Sequence, residues 1–308
     1  DWSSDVCSSD LVAITGRSIC IRKSLPYIRM TEEGMLREKY CSKEILELLK
    51  SCILAKQNIV FCGEPGVGKT ECAKFFSQYI PANERVITIE DNPEWHYRKV
   101  NPDKDCVELK VGEQMDYTTA IKTCLRLNPK WMMLSESRST EILKLIEGFS
   151  TGVKGMTTLH TDDVRKVPDR MVNMGGQARN ESRMINDIYS FVDMGVLIRR
   201  KEMENEDGSR RVRRYIDQIC FYERDGQENF CHMIVEDGEL LSDVLPKGLE
   251  RKLHYAGLPD PFEEMGLPEL ANADTKLFLG QEVRTDDMIS VTPARTTGTY
   301  RGIAKVFM

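Results

Sequence analysis

The chain alternates short, continuous apolar runs with longer segments in which apolar residues recur at helical spacing. The apolar runs are 58–62 (NIVFC), 85–90 (RVITIE), 131–134 (WMML) and 155–160 (GMTTLH). The segments with helical spacing are 42–53, 69–80, 117–127 and 140–149. Short buried strands that alternate with amphipathic helices predict an α/β fold with a mainly parallel sheet covered on both faces. In such sheets ligands bind beyond the carboxyl ends of the strands.

The pattern changes on either side of this region. Before it, an alternating segment over 19–25 predicts a strand that ends at Pro26. After it, the residues over 194–222 predict two strands joined by a turn at Asp207-Gly208, and a second Asp-Gly at 225–226 predicts another hairpin turn. From about residue 258 prolines replace periodicity, and no element is assigned there.

Composition narrows the class of protein. The chain has 308 residues, of which 41% are hydrophobic, and this content supports a globular core. No apolar stretch approaches the roughly 18 residues of a membrane span. Ten cysteines occur without any Cys-x-x-Cys pair, so buried reduced thiols are expected rather than a disulfide framework.

The first eleven residues, DWSSDVCSSDL, resemble a sequencing-library adapter read as codons. We expect them to be an artefact and exclude them from fold reasoning. Their removal deletes three aspartates, so the net charge of −6 becomes −3. A native Ser/Asp-rich tail is the alternative.

One motif points to nucleotide phosphates. It follows the strand at 58–62, precedes a helix and fits the pattern G-x-x-x-x-G-K-[ST]. Its residues are Gly63, Glu64, Pro65, Gly66, Val67, Gly68, Lys69 and Thr70. Glycines let successive backbone N–H groups turn toward an anion, and the helix start adds free donors. In this pattern the lysine reaches the terminal phosphates and the threonine hydroxyl binds Mg²⁺, so we expect ATP and Mg²⁺ as ligands.

Polar residues follow the other predicted strands as well. Glu90, Asp91 and Glu94 follow the second, Glu136 and Arg138 the third, and His160 the fourth. Each group has a structural alternative: the acids could cap a helix, Glu136 and Arg138 could pair on the surface, and a lone histidine is often a packed residue. Four consecutive strand ends with such groups nevertheless predict one site, in which a bound Mg²⁺-nucleotide offsets the cost of burying Glu136.

The four segments GEPGVGKTE, RVITIEDNPEW, LRLNPKWMMLSESRSTE and TGVKGMTTLHTDD resemble the four conserved boxes of the secretion-superfamily ATPases. The resemblance covers residues 19–222 and is nearest to the type IV secretion, conjugation and tight-adherence pilus branch. It implies a RecA-like P-loop core in which Glu136 positions the attacking water, Lys69 neutralises charge and His160 senses the γ-phosphate. It also implies that Thr70 and Glu94 organise Mg²⁺, and that Glu90 and Arg22 belong to the nucleotide site.

The same resemblance implies a homo-hexamer on the cytoplasmic side of an inner-membrane secretion or pilus complex. An arginine from a neighbouring subunit often completes such sites, and the candidates are Arg22, Arg85, Arg98 and Arg138. By this alignment residues 12–25 are the end of an N-terminal domain and linker, 26–222 the ATPase domain and 223–308 an extension of unknown role.

Three departures from the family pattern bear on turnover. Ser135 and Ser139 replace glycines, and Pro168 interrupts a helix expected after His160. Two other functions remain open: a DNA-translocating motor that uses the basic run 210–214, and a nucleotide-binding subunit without turnover. A net-acidic chain argues against an extended nucleic-acid surface, and a basic run in a hairpin is more often a solvated strand face.

Overall fold

The computed structural model describes residues 4–8, 19–137, 140–176, 180–204 and 208–263, with the backbone alone for 4–8 and 19–23. The strands are β1 (Ser4–Ser8), β2 (Ile19–Lys23), β3 (Ile59–Cys62), β4 (Val86–Glu90), β5 (Cys106–Lys110), β6 (Trp131–Leu134), β7 (Lys154–Leu159), β8 (Met194–Glu204), β9 (Arg210–Asp225), β10 (Glu228–Glu236) and β11 (Glu239–Leu240). The α-helices are α1 (Glu32–Arg37), α2 (Lys43–Leu54), α3 (Lys69–Ser77), α4 (Tyr97–Val100), α5 (Tyr117–Arg126), α6 (Glu141–Ser150), α7 (Val167–Gly175), α8 (Glu181–Phe191) and α9 (Lys247–Ala256).

The main sheet has nine strands in the order β11-β10-β9-β8-β3-β7-β6-β4-β5. Six neighbouring strands run parallel to one another: β8, β3, β7, β6, β4 and β5. The sheet continues beyond β8 with β9, β10 and β11, each antiparallel to its neighbour. The predicted α/β class is therefore confirmed. Because parallel strands share a direction, the chain leaves β3, β7, β6 and β4 at the same edge.

Each face of the sheet carries its own hydrophobic core. Along β3, Ile59 and Phe61 point into a core formed with α2, α3 and α9, whereas Val60 and Cys62 point into one formed with α5 to α8. All four side chains are fully buried. A strand buried on both faces requires a continuous apolar run instead of an alternating one, which is why NIVFC has no polar position after Asn58.

Helix starts follow their capping residues. Ser42 accepts a hydrogen bond from the backbone N–H of Ile45 and begins α2, as its position predicted. Pro168 differs from expectation: it lies in the first turn of α7 and does not interrupt a helix. The first turn has no hydrogen-bond partner for its backbone N–H groups, so proline costs nothing there.

The antiparallel part of the sheet continues past the boundary drawn at residue 222. That position lies within β9, and the predicted turn at 225–226 connects β9 to β10. Asp237-Gly238 connects β10 to β11 in the same way. Leu249, Leu253 and Phe262 are buried in the core that also holds α2. Residues 223–263 therefore complete the sheet and one face of the fold.

Near the N-terminus, β1 pairs with β2 in a separate two-stranded sheet. β1 lies within the segment that we interpret as adapter-derived, and that interpretation stays a prediction. Among the residues that the structure describes, no helix combines the length and apolar character needed to cross a bilayer.

Two cysteines lie close together. Cys220 of β9 and Cys231 of β10 are diagonal neighbours across the ladder, with their Cα atoms 6.2 Å apart. Six other cysteines of the described residues are free thiols. Burial raises the pKa of Cys41 and of Cys72 to about 12, so these thiols resist deprotonation.

Candidate active site

The loop after β3 has the backbone conformation that an anion cradle needs. Gly63, Gly66 and Gly68 have φ values of 142°, 76° and 97°, a region that favours glycine. At Gly63 a side chain is also excluded by space, because a Cβ would lie 2.4 Å from the carbonyl oxygen of Ile198. Val67 is buried beneath the loop, and Lys69 opens α3 directly after it.

The Lys69 side chain lies back across this loop. Its Nζ donates to the carbonyl oxygens of Gly63 and Glu64, each at 3.1 Å. The same atom lies 3.1 Å from Nδ1 of His160. With only 7% of its surface exposed, Lys69 is a nearly buried cation held over the loop by acceptors.

His160 joins this lysine to Glu136. Its Nε2 lies 2.7 Å from Oε1 of Glu136. An ammonium group can only donate, so a hydrogen bond from Lys69 uses the tautomer with an unprotonated Nδ1, in which Nε2 carries the hydrogen and donates to Glu136. Nδ1 also lies 3.2 Å from the carbonyl oxygen of Gly63, which would accept a hydrogen bond only from the other tautomer. The three side chains, from the ends of β3, β7 and β6, therefore form one continuous hydrogen-bonded chain, as predicted from their positions at strand ends.

Hydrogen bonds to the next strand position the segment that carries Glu136. The N–H of Ser137 donates to the carbonyl of Thr158 at 3.0 Å, and its hydroxyl lies 2.9 Å from that of Thr157. The Thr158 hydroxyl donates to the carbonyl of Ser135 at 2.7 Å. These bonds continue the β6–β7 pairing past the end of the strand and aim Glu136 at His160.

The acidic box after β4 is arranged differently. Glu90 is 4% exposed, and its Oε1 accepts hydrogen bonds from the N–H groups of Glu94 and Trp95 at 2.9 and 3.0 Å. Burial raises the pKa of Glu90 to about 7, and the two backbone donors partly oppose that rise. β4 is three strands from β3, roughly 14 Å at the usual spacing. Glu90 thus shapes the turn that presents Glu94.

Metal ligation stays a prediction for Thr70 and Glu94. Both side chains are partly exposed, Thr70 in the first turn of α3 and Glu94 in the turn after β4. Within the described ranges, no three His, Cys, Asp or Glu residues cluster closely enough to hold a metal ion. Mg²⁺ commonly takes one or two protein oxygens together with phosphate and water, and a threonine hydroxyl beside the loop fits that coordination.

The four candidate arginines are dispersed. Arg85 pairs with Asp105 at 2.7 Å and donates to the carbonyl of Leu127, and Arg98 is exposed on α4. Arg22 lies in β2, where the backbone alone is described, and Arg138 lies outside the described residues. Assignment of any of them to a neighbouring active site stays a prediction.

A cavity of about 390 Å³ adjoins the outer side of the loop. Apolar atoms of Met30 and Tyr40 line it together with Gly66 and Gly68, and β9 closes it with the basic segment Arg211–Arg214. The sequence pattern predicts that this basic run lies on a solvated strand face, and it does not predict a position beside the loop at 63–70. The register of β8 against β9 decides that position, and single-strand patterns do not show register.

Comparison with known proteins gives concordant results. The family model described as "Type II/IV secretion system protein" matches residues 4–239. An uncharacterized protein of Bacillus anthracis is 32% identical over 225 residues, which cover 71% of this chain and 50% of that protein. The type IV secretion system protein VirB11 of Bartonella quintana is 28% identical over 182 residues, which cover 55% of this chain and 50% of that protein.

Among solved structures, the VirB11 ATPase from the Brucella suis type IV secretion system, in complex with sulphate, superimposes with a TM-score of 0.51. The two sequences are 24% identical, and the match covers 70% of this chain and 73% of that one. This likeness supports the fold. The chain spans about half the length of the two sequence relatives.

Proposed function

This chain belongs to the Type II/IV secretion system protein family, and we propose that it hydrolyses ATP as a motor subunit for type IV secretion, conjugation or pilus assembly. The observation that carries the proposal is the hydrogen-bonded chain from Lys69 through His160 to Glu136. It connects the phosphate loop to a carboxylate that is only 18% exposed. The imidazole of His160 thereby connects Lys69, the proposed phosphate-binding group, to Glu136, the proposed group that positions water.

In this proposal the P-loop amides and Lys69 bind the β- and γ-phosphates. Phosphoryl transfer depends on positioning and charge stabilisation more than on covalent chemistry, so the lysine stabilises charge that develops on the γ-phosphate. Glu136 orients the attacking water. Thr70 and Glu94 would hold Mg²⁺, and the bound ion would neutralise negative charge on the phosphates.

His160 gives the site a means to sense its ligand. Nζ of Lys69 donates to two carbonyl oxygens and contacts Nδ1 of His160. A γ-phosphate would draw the ammonium away and leave Nδ1 of His160 without that donor. The imidazole and Glu136 could then rearrange together, which is the kind of local step that γ-phosphate-gated switches amplify.

The assembly is part of the proposal as well. We propose a homo-hexamer, peripheral to the cytoplasmic face of an inner-membrane complex, with a neighbouring arginine that completes each site. Neither hydrolysis nor assembly follows from the fold alone, since P-loop folds serve many functions. A DNA-translocating motor has less support, because the basic run borders the cavity beside the P-loop and the chain is net acidic.

Phosphate release from Mg²⁺-ATP tests the proposal. Lys69→Ala should abolish nucleotide binding, whereas Glu136→Gln should bind ATP and lower turnover by at least about 100-fold, or about 2.7 kcal/mol. Exposed Lys122→Ala and Glu113→Gln are matched controls with the same changes of side chain. A wild-type protein that binds ATP without turnover would support the structural-subunit alternative, and strong stimulation by DNA would support the translocase.

A further inference from the structure

The β8–β9 hairpin places like charges directly opposite one another. Arg200 pairs with Arg214 across the ladder, and Lys201 pairs with Arg213. Directly opposed residues project from the same face of the sheet, and like charges in that position destabilise the pair. Such an arrangement is stabilised when an anion binds between the cations.

Two of the neighbouring cations, Arg213 and Arg199, already have partners. Arg213 donates from Nη2 to the carbonyl of Lys39 at 2.7 Å and lies over the ring of Tyr215. Arg199 pairs with the buried carboxylate of Asp217. Across the ranges that the structure describes, neither Arg200 nor Arg214 has a carboxylate within ion-pairing distance, and both side chains are exposed. Arg200 and Arg214 therefore lie opposite each other with charge that no described carboxylate compensates.

That pair is next to the phosphate loop. A Cβ added to Gly68 would lie 3.8 Å from Cδ of Arg214, so the arginine stem passes over the last glycine of the loop. Arg200 lines a small cavity of about 50 Å³ with Gly63 and Glu64. Val67 borders both this cavity and the larger one that Arg214 lines. The two arginines thus flank the loop at its two ends.

We propose that Arg214, assisted by Arg200, binds the phosphates of the nucleotide from within the same subunit. The inference rests on the proposed nucleotide site and adds residues to it that the P-loop motif does not contain. Backbone N–H groups supply partial positive charge, whereas the phosphates of ADP and ATP carry several full negative charges. A guanidinium with parallel N–H donors matches a phosphate group in geometry and in charge.

The experiment compares Arg214→Gln and Arg200→Gln with Arg210→Gln. Arg210 lies four residues before Arg214, so it projects from the same face of β9 but farther from the loop. It is paired with Glu204 across the ladder and does not line either cavity. The ligands are ADP and inorganic pyrophosphate, and pyrophosphate is measured by competition against labelled ADP. Arg214→Lys keeps the positive charge but removes the parallel N–H donors of the guanidinium.

Arg214→Gln removes a charged hydrogen bond to the phosphates, so we expect its affinity for both ADP and pyrophosphate to fall by about tenfold or more. Arg200→Gln should weaken both by a smaller factor, Arg214→Lys should be intermediate, and Arg210→Gln should match the wild type. Pyrophosphate contains neither base nor ribose, so an equal effect on both ligands locates the contact at the phosphates. Thermal unfolding without ligand identifies any variant that misfolds. If Arg214→Gln misfolds, the ADP and pyrophosphate affinities of Arg200→Gln and Arg214→Lys are compared with those of Arg210→Gln instead.

Three results would overturn the inference. Arg214→Gln could bind ADP and pyrophosphate as tightly as Arg210→Gln does, or it could lose affinity for ADP but not for pyrophosphate. In the third, Arg214→Gln and Arg200→Gln both lose binding to DNA equally while their binding of ADP persists. The last would assign the hairpin to nucleic acid. Failure of the proposed function itself has a different signature, since wild-type protein and Lys69→Ala would then bind ADP equally poorly.

Discussion

Nε2 of His160 lies 2.7 Å from a carboxylate oxygen of Glu136, at the end of a hydrogen-bonded chain that begins at Lys69. The two residues are 24 positions apart in sequence and adjacent in space because β6 and β7 are parallel neighbours. Glu136 is therefore contacted by a side chain that also contacts Lys69. In the proposed function, this arrangement makes the carboxylate part of a ligand-sensitive unit.

Replacement of His160 should separate binding from turnover. His160→Ala leaves Lys69 bonded to two carbonyls, so nucleotide affinity should change little, whereas Glu136 loses the donor that orients it. We expect kcat to fall by at least about tenfold, equal to about 1.4 kcal/mol, with KM nearly constant. Steady-state phosphate release measures both parameters.

His254→Ala, on the remote helix α9, is the control for loss of an imidazole. A His160→Ala variant with wild-type kcat would show that the contact with Glu136 has no role in turnover. An equal loss in kcat/KM and in affinity would indicate a binding role instead.

Gly63 is the glycine of the loop that should tolerate substitution least. In Gly63→Ala the new methyl group would meet the carbonyl oxygen of Ile198 at 2.4 Å, in a backbone region with φ of 142°. Relief of this clash must move β8 away from the loop, so we expect a loss of about 2 kcal/mol or more in unfolding free energy. Urea denaturation measures the change.

Gly112→Ala is its matched control. A Cβ at Gly112 meets no atom within 4 Å, and its φ is outside the region that favours glycine. It should be neutral within about 0.5 kcal/mol. Equal stability of the two variants would mean that the close approach between Gly63 and Ile198 is not maintained in solution.

The parallel core was predictable because its signals are local. A strand buried on both faces is a continuous apolar run, and each run here is followed by the helix or loop that its residues specify. The phosphate loop was predictable for the same reason, since eight contiguous residues carry the motif. Convergence of Lys69, Glu136 and His160 followed from one topological rule about the ends of parallel strands.

Other features depended on long-range pairing. β5 was missed because its residues are partly exposed at the edge of the sheet, so CVELK lacks a continuous apolar run. The β8–β9 register, which places Arg214 at Gly68, is set by eleven paired positions and a bulge at Leu197–Ile198. The role of Glu90 as an acceptor for two backbone N–H groups is equally invisible, because a turn cap and a metal ligand have the same side chain.

Asp217 should stabilise the region that follows His160. Its buried carboxylate accepts from Nε of Arg199 at 2.5 Å, and Nη2 of Arg199 donates to the carbonyl of Asp162 at 2.8 Å. Asp217→Asn weakens the charged interaction, so we expect a loss of about 1–3 kcal/mol in unfolding free energy. Asp225→Asn, at an exposed end of the same strand, should change it by less than about 0.5 kcal/mol. A difference within error between the two variants in urea denaturation would contradict this assignment.

Glu90 should make the protein less stable as pH rises toward neutrality. Burial raises its pKa from 4.5 to about 7, so the folded state retains a proton that the unfolded chain has already lost. The unfolded state binds fewer protons across this interval, and the free energy of unfolding therefore falls between about pH 4.5 and pH 7. The full difference corresponds to about 3 kcal/mol.

Glu90→Gln removes the titration and keeps an oxygen to accept from the N–H groups of Glu94 and Trp95. We expect this variant to gain stability relative to the wild type as pH increases from about 5 to about 8, because the wild type alone carries the cost of ionising a buried carboxyl. Exposed Glu113→Gln should follow the wild-type curve throughout. Denaturation midpoints across this range test the prediction, and parallel curves for Glu90→Gln and the wild type would show that the Glu90 carboxyl gains enough solvent or backbone donors to ionise at its ordinary pKa.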